Sequence, residues 1–232
     1  MIFPLVPHIF TRLRNYNIIF RGETNIMEEK KNNPFDVKKA EEATRLLLEA
    51  MGEDPDREGL KETPRRVAKY WKELTEGSQY TNKEIAKMFS KDFEVGYDPI
   101  VTIYMDNVYS SCEHHLALMF DGDIILGYIP VQNEDGTYRV LGLSKLYRIV
   151  KMCSRRLQLQ EKLACDIAEC IEIATGSKEV YVNLNMKHGC VSARGVGAHG
   201  CTNVTFMSKD LRKNISARDE FERKATELLK RV

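Results

Sequence analysis

A cysteine, a glutamate and two histidines stand side by side in the motif CEHH, which covers residues 112–115. Cys112 and His115 have the C-x-x-H spacing at which a turn or a strand end can offer two ligands to one zinc ion. Such a pair alone is equally typical of a buried thiol beside a hydrogen-bonded histidine. A second motif, HGC at residues 188–190, supplies Cys190 as a third ligand. Three protein ligands leave the fourth tetrahedral position open, so these residues predict a catalytic zinc ion with an acidified water molecule.

Two further histidines remain beside these ligands. His114 lies between Cys112 and His115, and His188 precedes Cys190 by two positions. Imidazoles that are not needed as metal ligands are candidate general acids or bases near neutral pH. The neighbouring Glu113 is expected to orient one of them, or a ligand, through a hydrogen bond.

A basic segment, LGLSKLYRIV, has the outline of an anion site. Ser144 is predicted to cap a helix whose first turn carries Lys145 and Arg148, and a helix N-terminus favours a phosphate. The alternative is a capped helix with solvated basic side chains. Arg194 can add a bidentate phosphate contact.

Glu161 is a candidate residue for binding a guanine base. Its carboxylate can accept paired hydrogen bonds from the N1–H and amino group of a guanine, although a glutamate at such a position more commonly lies on the surface without a ligand.

Hydrophobic spacing predicts the elements that must position these residues. Residues 34–52 and 63–77 have helical spacing, each ending at a glycine, with Thr63 as the expected N-cap of the second helix. The Tyr70–Trp71 pair on that helix is expected in the core. The predicted apolar stripes of the two helices are Val37, Ala40, Ala43, Leu47 and Met51, and then Val67, Tyr70, Trp71 and Leu74.

The period changes after Asp98. Residues 99–112, 116–131 and 179–195 are rich in Val, Ile, Tyr and Thr, which suits strands of an antiparallel sheet. Two helical segments lie between the second and third strands. The first starts at Ser144 with Leu146, Ile149, Val150, Cys153 and Leu157 on one face; the second carries Leu163, Ile167 and Ile171 and closes at Gly176. This order predicts an α+β fold rather than a doubly wound parallel sheet.

Composition sets further limits on partners and location. The 35 basic residues nearly balance the 34 acidic ones, so no overall field recruits nucleic acid or a membrane surface. Six cysteines are too few for a disulfide scaffold and favour a reducing compartment, the cytoplasm. Residues 1–30 are predicted to be a mobile N-terminal extension, residues 31–95 a helical region, and residues 96–232 the catalytic domain.

Several motifs in one order give the chain a resemblance to a known family. The segments CEHH, GLSKLYRIV, RRLQLQE and KHGCVSARG, preceded by DPDREGLKETPRRVAKYW, closely resemble GTP cyclohydrolase I. The resemblance covers about residues 34–194. It implies the tunnelling fold, in which an antiparallel sheet with helices packed on one face assembles into a toroidal homodecamer with active sites between subunits.

The resemblance also implies a reaction and a role for each matching residue. GTP and water would give 7,8-dihydroneopterin triphosphate and formate, the first step of folate and pterin synthesis. His114 would donate a proton as the imidazole ring opens, and His188 would assist the ribose rearrangement. Glu161 would bind the guanine edge with support from Gln160. Cys112, His115 and Cys190 would bind zinc, and Ser144, Lys145, Arg148 and Arg194 would hold the triphosphate.

The segment after Arg194 departs from the family pattern. His199 and Cys201 stand where many relatives have small hydroxyl residues, and these two are alternative metal ligands to Cys112, His115 and Cys190.

Two other kinds of protein remain as alternatives. A nitrile reductase of the same fold would not need CEHH together with HGC, and a non-catalytic zinc-stabilised nucleotide-binding protein would close its metal site with a fourth protein ligand.

Overall fold

The computed structural model describes residues 34–229 of the 232-residue chain, so the extension predicted over residues 1–30 lies outside the described residues. The helices are α1 (Val37–Ala50), α2 (Thr63–Leu74), α3 (Asn82–Met88), α4 (Leu143–Ser154), α5 (Gln160–Thr175), α6 (Gly189–Ser192), α7 (Lys209–Lys213) and α8 (Ile215–Leu229). A short 3₁₀ turn covers Glu76–Gln79. The strands are β1 (Asp92–Val95), β2 (Val101–Cys112), β3 (Leu118–Tyr128), β4 (Tyr138–Leu141), β5 (Leu157–Gln158), β6 (Val180–His188) and β7 (Thr202–Met207). Within residues 34–229, no helix combines the length and apolar character needed to cross a membrane.

Five strands form the main sheet in the order β5-β2-β3-β6-β7. Neighbouring strands run antiparallel except for the two-residue β5, which pairs in parallel with the end of β2. The three strands predicted from the sequence are β2, β3 and β6, and the α+β prediction is confirmed. The first of the two helical segments predicted between β3 and β6 is α4 and the second is α5.

The main core lies between this sheet and the helices on one of its faces. Side chains from β3 and β6, such as Ile124 and Leu184, pack with Ile149 of α4 and Ile167 of α5 in one fully buried cluster. On the other face, α8 covers part of the sheet, where the rings of Phe221 and Tyr181 stack at 5.6 Å. The tunnelling-fold arrangement expected from the resemblance is therefore present, with α8 added on the second face.

Both predicted N-terminal helices form, but their apolar stripes are not buried as expected. Leu47 of α1 is 55% exposed, Met51 at its C-cap is 66% exposed, and Tyr70 of α2 is 44% exposed. The buried residues of the two helices are Thr44 and Ala68. Core burial of Tyr70 was thus a wrong prediction for the described chain, because α2 packs through its smallest side chain and turns the tyrosine outward. Thr63 is the first residue of α2 and Glu62 precedes it, so the N-cap prediction was also wrong.

The helix α4 begins one residue before the predicted start, and α5 ends where it was predicted to end. Gly142 is the N-cap of α4, so Ser144 lies inside the first turn and caps nothing. Leu157 lies in β5 and is 40% exposed rather than on the apolar face of α4. The end of α5 at Gly176 is confirmed, since this glycine has a left-handed φ of 72°.

One buried arginine joins the N-terminal helical region to the segment between α4 and α5. The Arg156 guanidinium donates to Asp166 at 2.8 Å and to Asn82 at 2.7 Å, and also to the carbonyls of Gly77 and Tyr80. Ile85 of α3 is fully buried in the same core as the sheet. Packing therefore crosses residue 95, and the division of the chain at that residue stays a prediction.

Candidate metal centre and active site

The motif CEHH forms the turn between β2 and β3. Cys112 is the last residue of β2, and its backbone N–H donates to the carbonyl of Ala117 at 2.8 Å. The N–H of Leu116 donates back to the carbonyl of Cys112 at 3.0 Å, with Leu116 at a φ of 52°. In this tight turn Cys112 is buried, whereas His114 and His115 are exposed to solvent.

The motif HGC lies beside that turn because β6 pairs with β3. His188, the last residue of β6, is the register partner of Met119 near the start of β3. A Cβ at Gly189 would come within 3.1 Å of the carbonyl of Leu118, so a glycine lets the chain turn closely over β3. The short helix α6 then carries Cys190 toward the β2–β3 turn.

Three side chains of these two motifs form one compact donor group. The Sγ atoms of Cys112 and Cys190 and a ring nitrogen of His115 all lie within 4.8 Å of one another. Ligand atoms around a tetrahedral zinc ion are separated by roughly 3.5–3.8 Å, so small side-chain adjustments would bring these donors into coordination. The rival ligands His199 and Cys201 are exposed and lie outside the group.

The thiols of this group are held in a partly buried environment. Burial raises the pKa of the Cys190 thiol, and the hydrogen bond with Cys112 raises it further. The charge of Arg194 acts in the opposite direction, which places this exposed arginine near Cys190. A divalent cation stabilises thiolates far more strongly than one arginine does, so the donor set suits a metal ion.

The two remaining histidines flank the donor group in different surroundings. His114 is exposed, and its Nδ1 lies 3.9 Å from the Sγ of Cys112. His188 is half-buried, and burial lowers its pKa while the Glu161 carboxylate opposes that shift. A histidine with a pKa below its ordinary value of about 6.5 is neutral at pH 7 and can accept a proton.

Gln160 contacts His188, a relation that sequence reasoning missed. It lies in the first turn of α5 beside Glu161 and is only 1% exposed. Its Oε1 is 2.8 Å from Nε2 of His188, and its Nε2 is 2.9 Å from the carbonyls of Leu184 and Thr202. Both N–H groups of the amide are thus engaged, and none is left to support a guanine directly. Nothing in the sequence indicates that α5 begins over β6 and β7.

The predicted triphosphate residues of α4 lie at the opposite end of the sheet from the donor group. The hydroxyl of Tyr147 donates to the carbonyl of Tyr104, which precedes Cys112 by eight residues on β2. A straight, fully extended strand would span at most roughly 26 Å over eight residues, and the register shifts of β2 between Met105 and Ser110 make the separation shorter. The C-terminal end of α4 is the end near Cys112, since the carbonyl of Cys153 accepts from Gln158, the register partner of Cys112. Ser144 and Lys145 are therefore far from the metal donors of their own chain, while Arg194 is near them.

Comparison with known proteins identifies the family of this chain. The family described as GTP cyclohydrolase I matches residues 40–226. A GTP cyclohydrolase 1 of Clostridium acetobutylicum is 45% identical over 185 residues, covering 78% of this chain and 92% of that protein. Another from Clostridium beijerinckii is 41% identical over 183 residues, covering 75% and 90%.

A crystal structure of the archaeosine synthase QueF-Like in the apo form is a more distant match. It is 20% identical with a TM-score of 0.36, and the match covers 47% of this chain and 92% of that one. This likeness is too weak to add to the assignment. The family match over most of the chain and the identity with the two clostridial proteins show that this chain belongs to the GTP cyclohydrolase I family.

Proposed function

We propose that this protein hydrolyses GTP to 7,8-dihydroneopterin triphosphate and formate at a zinc site made by Cys112, His115 and Cys190. The observation that carries the proposal is the three-donor group at the end of the sheet, with His114 and His188 on either side. Within residues 34–229 this is the one group of three or more metal-binding side chains, and its three donors would leave a four-coordinate zinc ion one position for water. Zinc, when bound, makes a coordinated water acidic enough to act as a nucleophile near neutral pH.

The two histidines divide the proton transfers between them. His114 is exposed beside Cys112, so it is placed to donate a proton to the imidazole ring of the guanine as that ring opens. His188 is held neutral by burial and is placed to accept a proton during the later rearrangement of the ribose. A positioned acid or base of this kind contributes a factor on the order of 10² to 10⁴ to a rate.

The guanine is bound by Glu161. Its carboxylate lies in the first turn of α5, close enough to His188 to oppose the lowering of the imidazole pKa by burial. A carboxylate accepts two hydrogen bonds from the N1–H and 2-amino group of guanine. Adenine offers an acceptor at N1 and has no 2-amino group, so ATP would leave the carboxylate without these partners.

The triphosphate is held by residues of two subunits. Arg194 lies near the metal donors of its own chain, whereas Ser144, Lys145 and Arg148 lie in the N-terminal part of α4, which contacts Tyr104 toward the other end of β2. A site that combines both sets therefore takes α4 from a neighbouring copy of the chain. This supports the homo-oligomer with active sites between subunits, and the resemblance makes it a decamer.

The cytoplasmic location is proposed on the state of the cysteines. All six cysteines of the chain are free thiols, including the Cys153–Cys170 pair, whose sulfurs lie 3.6 Å apart in the core. Free thiols that serve as metal ligands persist in a reducing compartment.

A direct assay tests the proposed reaction. Zinc-loaded protein incubated with GTP should release formate and, after oxidation, a fluorescent pterin, whereas ATP should give neither. The absence of formate from zinc-replete protein would overturn the proposal. Metal analysis separates the alternative of a structural zinc site, because a closed site would bind zinc and release no formate.

A further inference from the structure

The side-chain amide of Gln160 can adopt only one orientation. Its nitrogen lies 2.9 Å from each of two backbone carbonyl oxygens, those of Leu184 on β6 and Thr202 on β7. Carbonyl oxygens only accept hydrogen bonds, so the amide NH₂ group must face them. The flipped amide would place its own oxygen against both carbonyls inside a site where the side chain is 1% exposed.

This orientation determines which nitrogen of His188 carries the proton. The amide oxygen of Gln160 lies 2.8 Å from Nε2 of His188 and can only accept, so Nε2 must donate. A neutral imidazole has a single N–H, and Nδ1 is then left with its lone pair free. Within residues 34–229, Nδ1 of His188 makes no hydrogen bond.

We propose that Gln160 is a positioning residue that holds His188 in its Nε2–H tautomer and thereby makes Nδ1 the base that acts on the ribose. The proposal rests on the proposed function and changes the role of Gln160 from substrate support to control of the histidine. Two strands and one helix fix the amide, so the tautomer is set before the substrate binds. Hydrogen-bond partners of this kind commonly determine which imidazole nitrogen is available for chemistry.

The fixed tautomer suits the ribose rearrangement and is not needed for ring opening. After the glycosidic carbon has become an imine carbon, Nδ1 takes a proton from the adjacent ribose carbon. The electron pair of that C–H bond forms the carbon–carbon double bond of an enaminol, while the imine nitrogen, protonated from solvent, takes up the π pair of its former double bond. The imidazolium then returns the proton to the former imine carbon, while the enaminol hydroxyl loses its proton to solvent and becomes a ketone. Throughout, Nε2–H stays hydrogen-bonded to Gln160, so the same nitrogen both receives and returns the proton.

Solid-state nitrogen NMR of the zinc-loaded protein, labelled with nitrogen-15 in its histidines, tests the tautomer directly. The resonances of His188 are identified by their loss in His188→Ala. We expect a protonated Nε2 and an unprotonated Nδ1 at neutral pH in the wild-type protein. A protonated Nδ1 with a bare Nε2 would overturn the inference, even if the protein proves active on GTP.

Two glutamine variants separate positioning from simple destabilisation. Gln160→Met should release formate but form pterin about 10- to 100-fold more slowly, the usual cost of removing a partner that orients an active-site group. Gln158→Met is the matched control. Gln158 is also 1% exposed and donates to the hydroxyl of Ser110 and the carbonyl of Cys153, without contacting His188. It should leave the ratio of pterin to formate unchanged.

The outcomes distinguish this inference from the proposed function. If wild-type protein releases no formate, the proposed function fails. If wild-type protein makes both products and Gln160→Met keeps the wild-type ratio, Gln160 does not position His188. If Gln160→Met lowers formate and pterin equally, as a general loss of structure would, the inference is also wrong.

Discussion

The separation between α4 and the metal donors predicts that two inactive variants restore activity when their subunits co-assemble. Cys112→Ser removes a metal donor, and the double variant Lys145→Ala/Arg148→Ala removes the proposed triphosphate contacts. The N-terminal part of α4 meets β2 at Tyr104, eight residues along the strand from Cys112, so the proposed site takes its α4 from another chain. Each variant then damages a different half of a shared site.

The expected activity follows from random mixing. With equal amounts of the two chains, half of the metal donor groups come from chains with an intact Cys112. Independently, half of the α4 helices come from chains that keep their basic residues. About one quarter of the sites therefore combine two intact halves, and kcat per site should approach one quarter of the wild-type value in a symmetric oligomer.

The assay co-expresses the two chains with different affinity tags and measures formate release from assemblies that carry both tags. Cys112→Ser mixed with Cys190→Ser is the control, because both variants damage the same half and no mixed site is intact. Doubly tagged assemblies of the first pair that are as inactive as either parent would refute the reasoning. A single chain would then have to supply both sets of contacts.

Three further predictions concern single side chains. Cys112→Ser should lose most of its bound zinc in metal analysis and most of its turnover in the formate assay. Cys153→Ser, a change in the fully buried core, should keep both. Zinc retained in Cys112→Ser would show that Cys112 is not a zinc ligand. Glu161→Gln should weaken GTP binding without changing inhibition by inorganic triphosphate, and an equal loss of both would mean that Glu161 does not bind guanine. Arg156→Met should lower the free energy of unfolding by about 3 kcal/mol in chemical denaturation, because it removes a buried guanidinium and leaves the Asp166 carboxylate with Lys162 as its remaining cationic partner. Arg155→Met, which breaks pairs with solvent-exposed glutamates, should cost less than about 1 kcal/mol, and equal losses would show that the buried pair is not special.

The donor group could be predicted from the sequence because its ligands are close in sequence within two motifs. Cys112 and His115 are on one turn, and Cys190 follows a strand that had to pair with its neighbours in the same antiparallel sheet. The strands predicted from the sequence pattern, once paired in one antiparallel sheet, therefore place the two motifs at the same end of that sheet. The distance from α4 to this end could not be predicted, since it depends on the direction in which α4 crosses the sheet.

Other features were missed because tertiary contacts decide them. The role of Gln160 depends on the carbonyls of Leu184 and Thr202, which are distant in sequence and carry no signal in their side chains. Tyr70 is exposed for the same reason. Helical spacing predicts which face of a helix is apolar, but it does not predict which residue of that face packs against the core. The helix α3 is only seven residues long, and its capping box of Thr81 and Glu84 was the one local signal for it.

The measurement that tests the central claim most directly follows the C8 carbon of the substrate. Zinc-loaded protein receives GTP labelled with carbon-13 at C8, and carbon NMR records where the label goes. Hydrolytic excision at the Cys112, His115 and Cys190 centre predicts that all label from converted GTP appears in formate and none in the pterin. Label retained in the heterocyclic product, or GTP consumed without labelled formate, would contradict the account.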